Sequence, residues 1–242
     1  MKRLENKFKD KVSVLMSVHN DEKNIENAIK SIQSQTFQNF EFLIIDDGST
    51  DNTLNIIKQF QKSDNRINLI INKKNIGLTK SLNKLILKSS TNLLFRQDSD
   101  DTSDSIRFEK QLKFLIENNL DWCTTKAINI VNQKELHRIS FYFPKKMILK
   151  YKNPFIHGSL LIKKSVMNAL GNYDEDFYYA QDYKLYSDLF KNKYKMKILN
   201  ETLYHLNTSD NISSNYYVQQ KYYANCVKKN LKPNKNYENL YK

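Results

Sequence analysis

Between Val12 and Arg96 short apolar runs and helical patterns alternate four times, and this alternation constrains the fold more than any other feature. Val12 to Val18 reads as a buried strand. Lys23 to Gln35 carries Ile25, Ala28, Ile29 and Ile32 at helical spacing. Phe40 to Ile45 is a second strand ending in Asp46-Asp47-Gly48. Ser49-Thr50-Asp51 then opens a helix with Leu54, Ile56, Ile57 and Phe60 as its apolar positions and a capping-type start. Arg66 to Ile71 reads as the third strand, Gly77 to Leu87 as the third helix, and Leu93 to Arg96 as the fourth strand. Repeated alternation of this kind implies right-handed crossovers and a mostly parallel central sheet flanked by helices, an α/β protein.

In such sheets ligands sit beyond the carboxyl ends of the strands, near the switch in strand order. Two acidic clusters fall at such ends, Asp46-Asp47 and Asp98-Ser99-Asp100-Asp101. Three carboxylates within four residues repel one another, so a fold that keeps them needs a cation to offset the cost. The bland reading is a solvated acidic turn. The sharper one is an oxygen-only site for Mg²⁺ or Mn²⁺, which keep waters and bind substrate phosphates. The glycine-rich phosphate loops G-x-G-x-x-G and G-x-x-x-x-G-K-[ST] are absent, and the chain has four glycines. Phosphates would therefore be held by metal.

The second half is less regular. Ser105 to Asn118 is an amphipathic helix and Trp122 to Val131 a strand. Lys134 to Tyr151 is basic and poorly patterned, and is read as a flexible loop over the site. Phe155 to Ile162 reads as a strand, with Gly158 marking a close approach by another group. Gly171 to Asp182 is a loop leading into a helix, Tyr183 to Lys191. Asn215 to Leu231 reads as a Tyr-rich helix before a disordered Lys/Asn end. Neither a repeat nor a linker is visible, so 1–242 is read as one domain.

Bulk properties narrow the function classes. A chain of 242 residues with 40% hydrophobic and 12% aromatic residues has the composition of a globular protein. No run reaches the ~18 apolar residues of a membrane span, and the first residues lack a secretory apolar centre. Cys123 and Cys226 make neither a disulfide framework nor a zinc site, which points to a reducing, cytoplasmic setting. The net charge of +13 is spread as lysine pairs. Scattered solvation ranks first as its cause, attraction to an anionic membrane or lipid-linked substrate second, and nucleic acid last. The expected place is cytoplasmic, with peripheral contact at the inner membrane face.

Taken in order, the segments from Val12 to about Ser214 resemble the family 2 inverting glycosyltransferases of the GT-A fold, whose central sheet is Rossmann-like. The carriers are Val12 to Asn20; Ser34 to Asp51, the most specific; Asn72 to Leu78; Asp98-Ser99-Asp100-Asp101 at the D-x-D position; His157-Gly158-Ser159; and Gly171 to Tyr183. The resemblance implies a nucleotide-sugar-binding half over about 12–101, a smaller acceptor-side half over about 102–214, and a C-terminal helix and tail over 215–242. Ser17, His19, Asp46, Asp47 and Asp98 would line the nucleotide-sugar side, with Asp47 reading the base and Asp98 the ribose. Asp100 would be the ligand to Mg²⁺ or Mn²⁺, while Asp101 is read as a cap of the following turn. Asp182 matches the catalytic base, which needs a partly shielded pocket, with Gln181 and His157 on the acceptor side. His157 also fits a hydrogen-bonded core residue, and Trp122, Tyr178 and Tyr179 are read as core before sugar-stacking faces.

The implied reaction moves a sugar from a nucleoside-diphosphate sugar to a hydroxyl of a glycan or lipid-linked acceptor, in lipopolysaccharide or capsule synthesis. Departures from the family pattern are Gln181 for Glu, Asn207 for His, and Lys184 and Asp188 for Asp and Arg. Gln181 and Asn207 define one alternative, a catalytically degenerate sugar-nucleotide-binding subunit. The other, a nucleotidyltransferase, requires a basic Gly-rich loop near the first strand, and Ser17 to Glu22 supplies none.

Overall fold

The computed structural model describes residues 10–136, 143–209 and 216–234. Four strands, β1 (Val12–Val18), β2 (Phe40–Asp46), β3 (Ile67–Ile71) and β4 (Leu93–Arg96), lie side by side in the order β3-β2-β1-β4, all parallel. Helices α1 (Ile25–Gln33), α2 (Thr53–Ser63) and α3 (Leu78–Lys88) connect them. Every residue of β1 and β2 is buried. Period-two alternation divides them between two cores. Val12, Val14, Met16, Phe40, Phe42 and Ile44 pack with α1 on one face. Leu15, Leu43 and Ile45 pack with Leu82, Leu85 and Ile86 of α3 on the other. The start of α2 is fixed by Asp51, whose Oδ1 accepts the Thr53 N–H at 3.0 Å.

Beyond β4 the sheet turns mixed. It continues through β8 (Leu161–Lys163), β6 (Trp122–Asn129), β9 (Met196–Leu206) and β5 (Thr102–Ser103), with β7 (Lys134–Glu135) paired to β6. Both pairings of β8 are antiparallel, while β6 and β9 run parallel. Helix α4 (Arg107–Glu117) covers one face, and α7 (Gln181–Lys191) and α8 (Tyr217–Lys229) pack together in the other core.

Three expectations need correction. The strand expected over Phe155 to Ile162 is a 3₁₀ turn at His157–Ser159 followed by the short β8. Ser159 Oγ donates to the Ile156 carbonyl at 2.9 Å, and Arg107 Nη1 donates to the Gly158 carbonyl at 2.9 Å. Local and tertiary donors thus take carbonyls that a ladder would need. The basic loop expected over Lys134 to Tyr151 contains β7 and a helical turn, α5 (Lys145–Ile148); 137–142 lie outside the described residues. Strand β9, helix α6 (Lys164–Ala169) and β5 were not anticipated. In β9 the register against β6 shifts between Thr125 and Lys126, which breaks the period-two signal. The tail over 235–242 lies outside the described residues, as do 210–215.

Of the expected aromatics, Trp122 is fully buried and stacks on Tyr186 with centroids 5.2 Å apart. Tyr179 is buried and Tyr178 exposed. Cys123 is an inert core thiol, its pKa pushed by burial to about 12. Among the described residues no helix is long and apolar enough to cross a membrane.

Candidate active site

Parallel pairing aligns the carboxyl ends of β2, β1 and β4, with Val18 opposite Asp46 and Leu15 opposite Arg96. Ser17, the penultimate residue of β1, is buried, and His19 is exposed just beyond the strand. The His19 Nδ1 lies 3.0 Å from the Asp47 carbonyl, tying the two strand ends together.

Asp46 and Asp47 are both buried but differently used. Asp47 Oδ1 accepts from Asn72 Nδ2 at 2.7 Å and the Ile76 N–H at 3.0 Å, and Oδ2 accepts the Gly77 N–H at 2.9 Å. Its carboxylate therefore organises the loop between β3 and α3. Gly48, at φ +70°, lets that loop approach: a Cβ there would sit 2.6 Å from the Lys74 carbonyl carbon. Asp46 Oδ2 accepts the Ser49 N–H at 3.2 Å, while its buried Oδ1 has no hydrogen-bond partner.

The acidic turn follows β4. Asp98 is held by an ion pair with the buried Arg96 guanidinium, and its N–H donates to Tyr204 Oη at 3.1 Å. Asp100 is half-buried, and its pKa is pushed up to about 7 by burial, then by the charges of Asp98 and Asp21. Asp101 is pushed well above the usual carboxylate range by burial and then by Asp98 and Asp100. It does not cap the next turn: its Oδ1 accepts the Asn207 N–H at 2.8 Å, from the segment after β9.

Asp21, in the loop after β1, escaped the sequence reading. Its Oδ2 accepts from Ser99 Oγ at 2.7 Å and its Oδ1 from Asn24 Nδ2 at 2.6 Å. Asn24 Oδ1 in turn accepts from Asn207 Nδ2 at 3.3 Å. Asp21, Asn24, Asn207, Asp101 and Ser99 thus close a ring around the acidic turn. Its position at a strand's carboxyl end was the one available signal. A divalent cation fits this chemistry, because every candidate donor is a carboxylate or other hard oxygen and the crowded anions are underneutralised. Among the described residues, no group of three or more His, Cys, Asp or Glu side chains is placed to hold an ion unaided.

Across the sheet, Asp182 opens α7, following Ala180 in a left-handed conformation at φ 53°. Asp182 is half-buried; its Oδ2 accepts from Asn153 Nδ2 at 2.6 Å and its Oδ1 from the Tyr183 N–H at 2.7 Å. Gln181, also half-buried, precedes it in the first turn. His157 Nε2 lies 2.7 Å from Tyr173 Oη. Its pKa is lowered to about 4 by burial first and then by Arg96, against an upward pull from Asp98 and Asp182. Gly158 lets the acidic turn approach closely: a Cβ there would meet Tyr204 Oη at 1.9 Å and Asp98 Oδ2 at 2.6 Å. Lys184 pairs with Asp188 one turn on and with Asp174 at 3.5 Å, so an ion pair survives on this helix face.

Comparison with known proteins gives the family and the fold. The model of Glycosyl transferase family 2 covers residues 13–171. The putative glycosyltransferase EpsE of Bacillus subtilis is 35% identical over 166 residues, 67% of this chain and 60% of EpsE. The O-antigen biosynthesis glycosyltransferase WbnJ of Escherichia coli is 32% identical over 200 residues, 79% of this chain and 73% of WbnJ. The structure of S. aureus TarS 1-349 in complex with UDP-GlcNAc superposes with a TM-score of 0.73 at 19% identity, over 85% of this chain and 61% of the chain in that structure. The chain thus spans about three fifths of EpsE and of that TarS structure. By family model and fold, the chain belongs to glycosyl transferase family 2 and is built as a GT-A glycosyltransferase domain.

Proposed function

We propose that this chain is a metal-dependent, inverting glycosyltransferase that moves a sugar from a nucleoside-diphosphate sugar to a hydroxyl of a cell-surface glycan or lipid-linked acceptor. The observation that carries the reading is the packing of the His157-Gly158 turn against the acidic turn, where a Cβ on Gly158 would sit 2.6 Å from Asp98 Oδ2. In this reading Asp182, at the start of α7, faces the same crevice from the acceptor side. TarS binds UDP-GlcNAc, and the name of WbnJ places it in O-antigen biosynthesis, which supports the donor class and the glycan setting.

In this reading Asp46 and Asp47 form the nucleotide floor, Asp47 by fixing the loop over 72–77 and Asp46 through its free Oδ1. Ser17 and His19 border the same floor at the end of β1. Asp98, held by Arg96, faces the ribose, and Asp100 would hold Mg²⁺ or Mn²⁺ together with donor phosphates. The ion would supply charge neutralisation for the departing nucleoside diphosphate. Asp182 takes the proton of the acceptor hydroxyl at a carboxylate oxygen as that hydroxyl attacks the anomeric carbon from the face opposite the leaving group. Asn153 holds Oδ2 of that carboxylate, leaving its orientation fixed. His157, kept neutral by burial, and Gln181 line the acceptor side. The nucleotide-sugar half spans about 12–101 and the acceptor half about 102–214, within a single domain.

A thermal-shift series tests the reading, because a ligand that binds only the folded state raises its stability by mass action. Nucleoside-diphosphate sugars should raise the melting temperature with Mn²⁺ and much less without it. The absence of any shift across uridine, guanosine and thymidine diphosphate sugars would refute the donor assignment.

A further inference from the structure

Between Glu135 and Asp174 the chain has no acidic residue, an interval that includes Lys145, Lys146, Lys150 and Lys152. The helical turn α5 continues through hydrogen bonds from the Leu149, Tyr151 and Lys152 N–H groups to the carbonyls of Lys145, Ile148 and Ile148. One side of this coil packs inward: Leu149 is buried, and its carbonyl accepts from Tyr183 Oη at 2.5 Å. Met147 and Tyr151, four residues apart in this coil, are 58% and 74% exposed, and Phe143, 55% exposed, sits just before the extended Pro144 that opens it. Helical spacing sets Met147 and Tyr151 one above the other. Lys146 and Lys150, both exposed, lie on the same side, and Lys152 follows.

Large exposed apolar side chains rimmed by polar residues mark a protein or membrane contact, and the run of lysines without a neighbouring acid favours an anionic surface. The combination suits the boundary of an anionic bilayer. There apolar tips enter the acyl edge while lysine stems follow them and keep their ammonium groups at the phosphates. We infer that Phe143, Met147 and Tyr151, flanked by Lys146, Lys150 and Lys152, form a docking surface for an anionic phospholipid bilayer. The next residue, Asn153, is hydrogen-bonded to Asp182. A membrane docked here would bring a lipid-linked hydroxyl acceptor to the proposed base; this use of the surface rests on the transferase reading above, while the lipid contact itself does not.

Co-sedimentation of the full chain with vesicles tests it. The chain should bind phosphatidylcholine vesicles containing phosphatidylglycerol, more weakly as salt rises, and should ignore pure phosphatidylcholine. The variant Lys146→Gln/Lys150→Gln/Lys152→Gln should lose about fivefold in partition per lysine, roughly 10²-fold in all. Phe143→Ser/Met147→Ser/Tyr151→Ser should lose binding even at low salt. Lys58→Gln/Lys62→Gln/Lys88→Gln, at exposed lysines elsewhere, should bind as the parent does. No parent binding, or an equal loss in the control variant, would overturn the surface. So would binding to DNA or an acidic protein without binding to vesicles. Mn²⁺-dependent nucleoside-diphosphate binding, measured on each variant, should stay unchanged; its absence from the parent would sink the transferase reading and leave the lipid result standing.

Discussion

The hydroxyl of Ser99, the middle residue of Asp98-Ser99-Asp100, donates a 2.7 Å hydrogen bond to Asp21 on the loop after β1. The Asp21 N–H in turn donates to Thr53 Oγ1 at 2.8 Å, at the first turn of α2. The acidic turn is therefore braced by the ends of two other βα units, and its two outer carboxylates remain directed by Arg96 and by Asn207 through Asp101.

A brace of this kind acts through orientation, so its loss should appear in affinity before it appears in folding. Ser99→Ala removes the donor and Asp21→Asn weakens the acceptor. Each should lower Mn²⁺-dependent nucleoside-diphosphate affinity by roughly tenfold, as loss of an outer partner commonly does. Calorimetric titration reads this directly. Melting temperatures should change little, and unchanged affinity in both variants would remove the brace from the site.

Crowding makes a second prediction, about stability. Folding raises the Asp100 pKa from 3.8 to about 7, so between those values the folded state binds a proton that the unfolded state has lost. Stability therefore falls as pH rises through that window, and above pH 7 the ionised carboxylate carries its full cost. Asp100→Asn should stabilise the metal-free protein at pH 8 by roughly 1–3 kcal/mol. The same variant should lose the Mn²⁺-dependent thermal shift. A destabilised variant that still responds to Mn²⁺ would contradict both halves of the argument.

The acidic ends of β2 and β4 were legible because the apolar runs of β1, β2 and β4 are short, largely buried and separated by clear helical periods. From there the location rule for open sheets leads to Asp46, Asp47, Asp98 and Asp100 without tertiary information. The partners of those residues were not legible. Asn207 reaches Asp101 across 106 positions and Asn153 reaches Asp182 across 29, and neither lies in a patterned segment. Gly158 signalled a close approach, and Tyr204 and Asp98 are what approach it. Its neighbourhood was nevertheless misread as a strand, since a carbonyl claimed by the buried Arg107 leaves no local trace. Strand β9 was lost to its register shift against β6, its alternation running only from Met196 to Ile198.

His157 sets a third test, in the acid range. Its pKa is lowered from 6.5 to about 4, so the unfolded state binds more protons between those values. Stability should fall as pH drops from about 6.5 to 4, by up to roughly 3 kcal/mol, and level off below. His157→Gln keeps a hydrogen-bonding side chain beside Tyr173 but cannot titrate. Its denaturation midpoint should therefore vary less over this window than that of the parent. Parallel pH profiles for the two proteins would show that His157 is not the group responsible.

The base supplies the last prediction. Asp182→Asn retains the side-chain shape and the acceptor oxygen available to the Tyr183 N–H or to Asn153, yet it cannot take a proton. Donor binding should persist while sugar transfer falls by about 10²-fold or more. Asn153→Ala leaves the carboxylate intact but frees Oδ2, so it should reduce kcat less than Asp182→Asn. Gln181→Glu restores a second carboxylate beside the base and separates an adapted enzyme from a subunit without turnover. An adapted enzyme should change its rate and pH optimum only modestly, whereas a subunit without turnover has no rate for any of the three variants to change. Equal transfer by the parent and Asp182→Asn, measured with a hydroxyl acceptor that the parent glycosylates, would assign the proton to another residue.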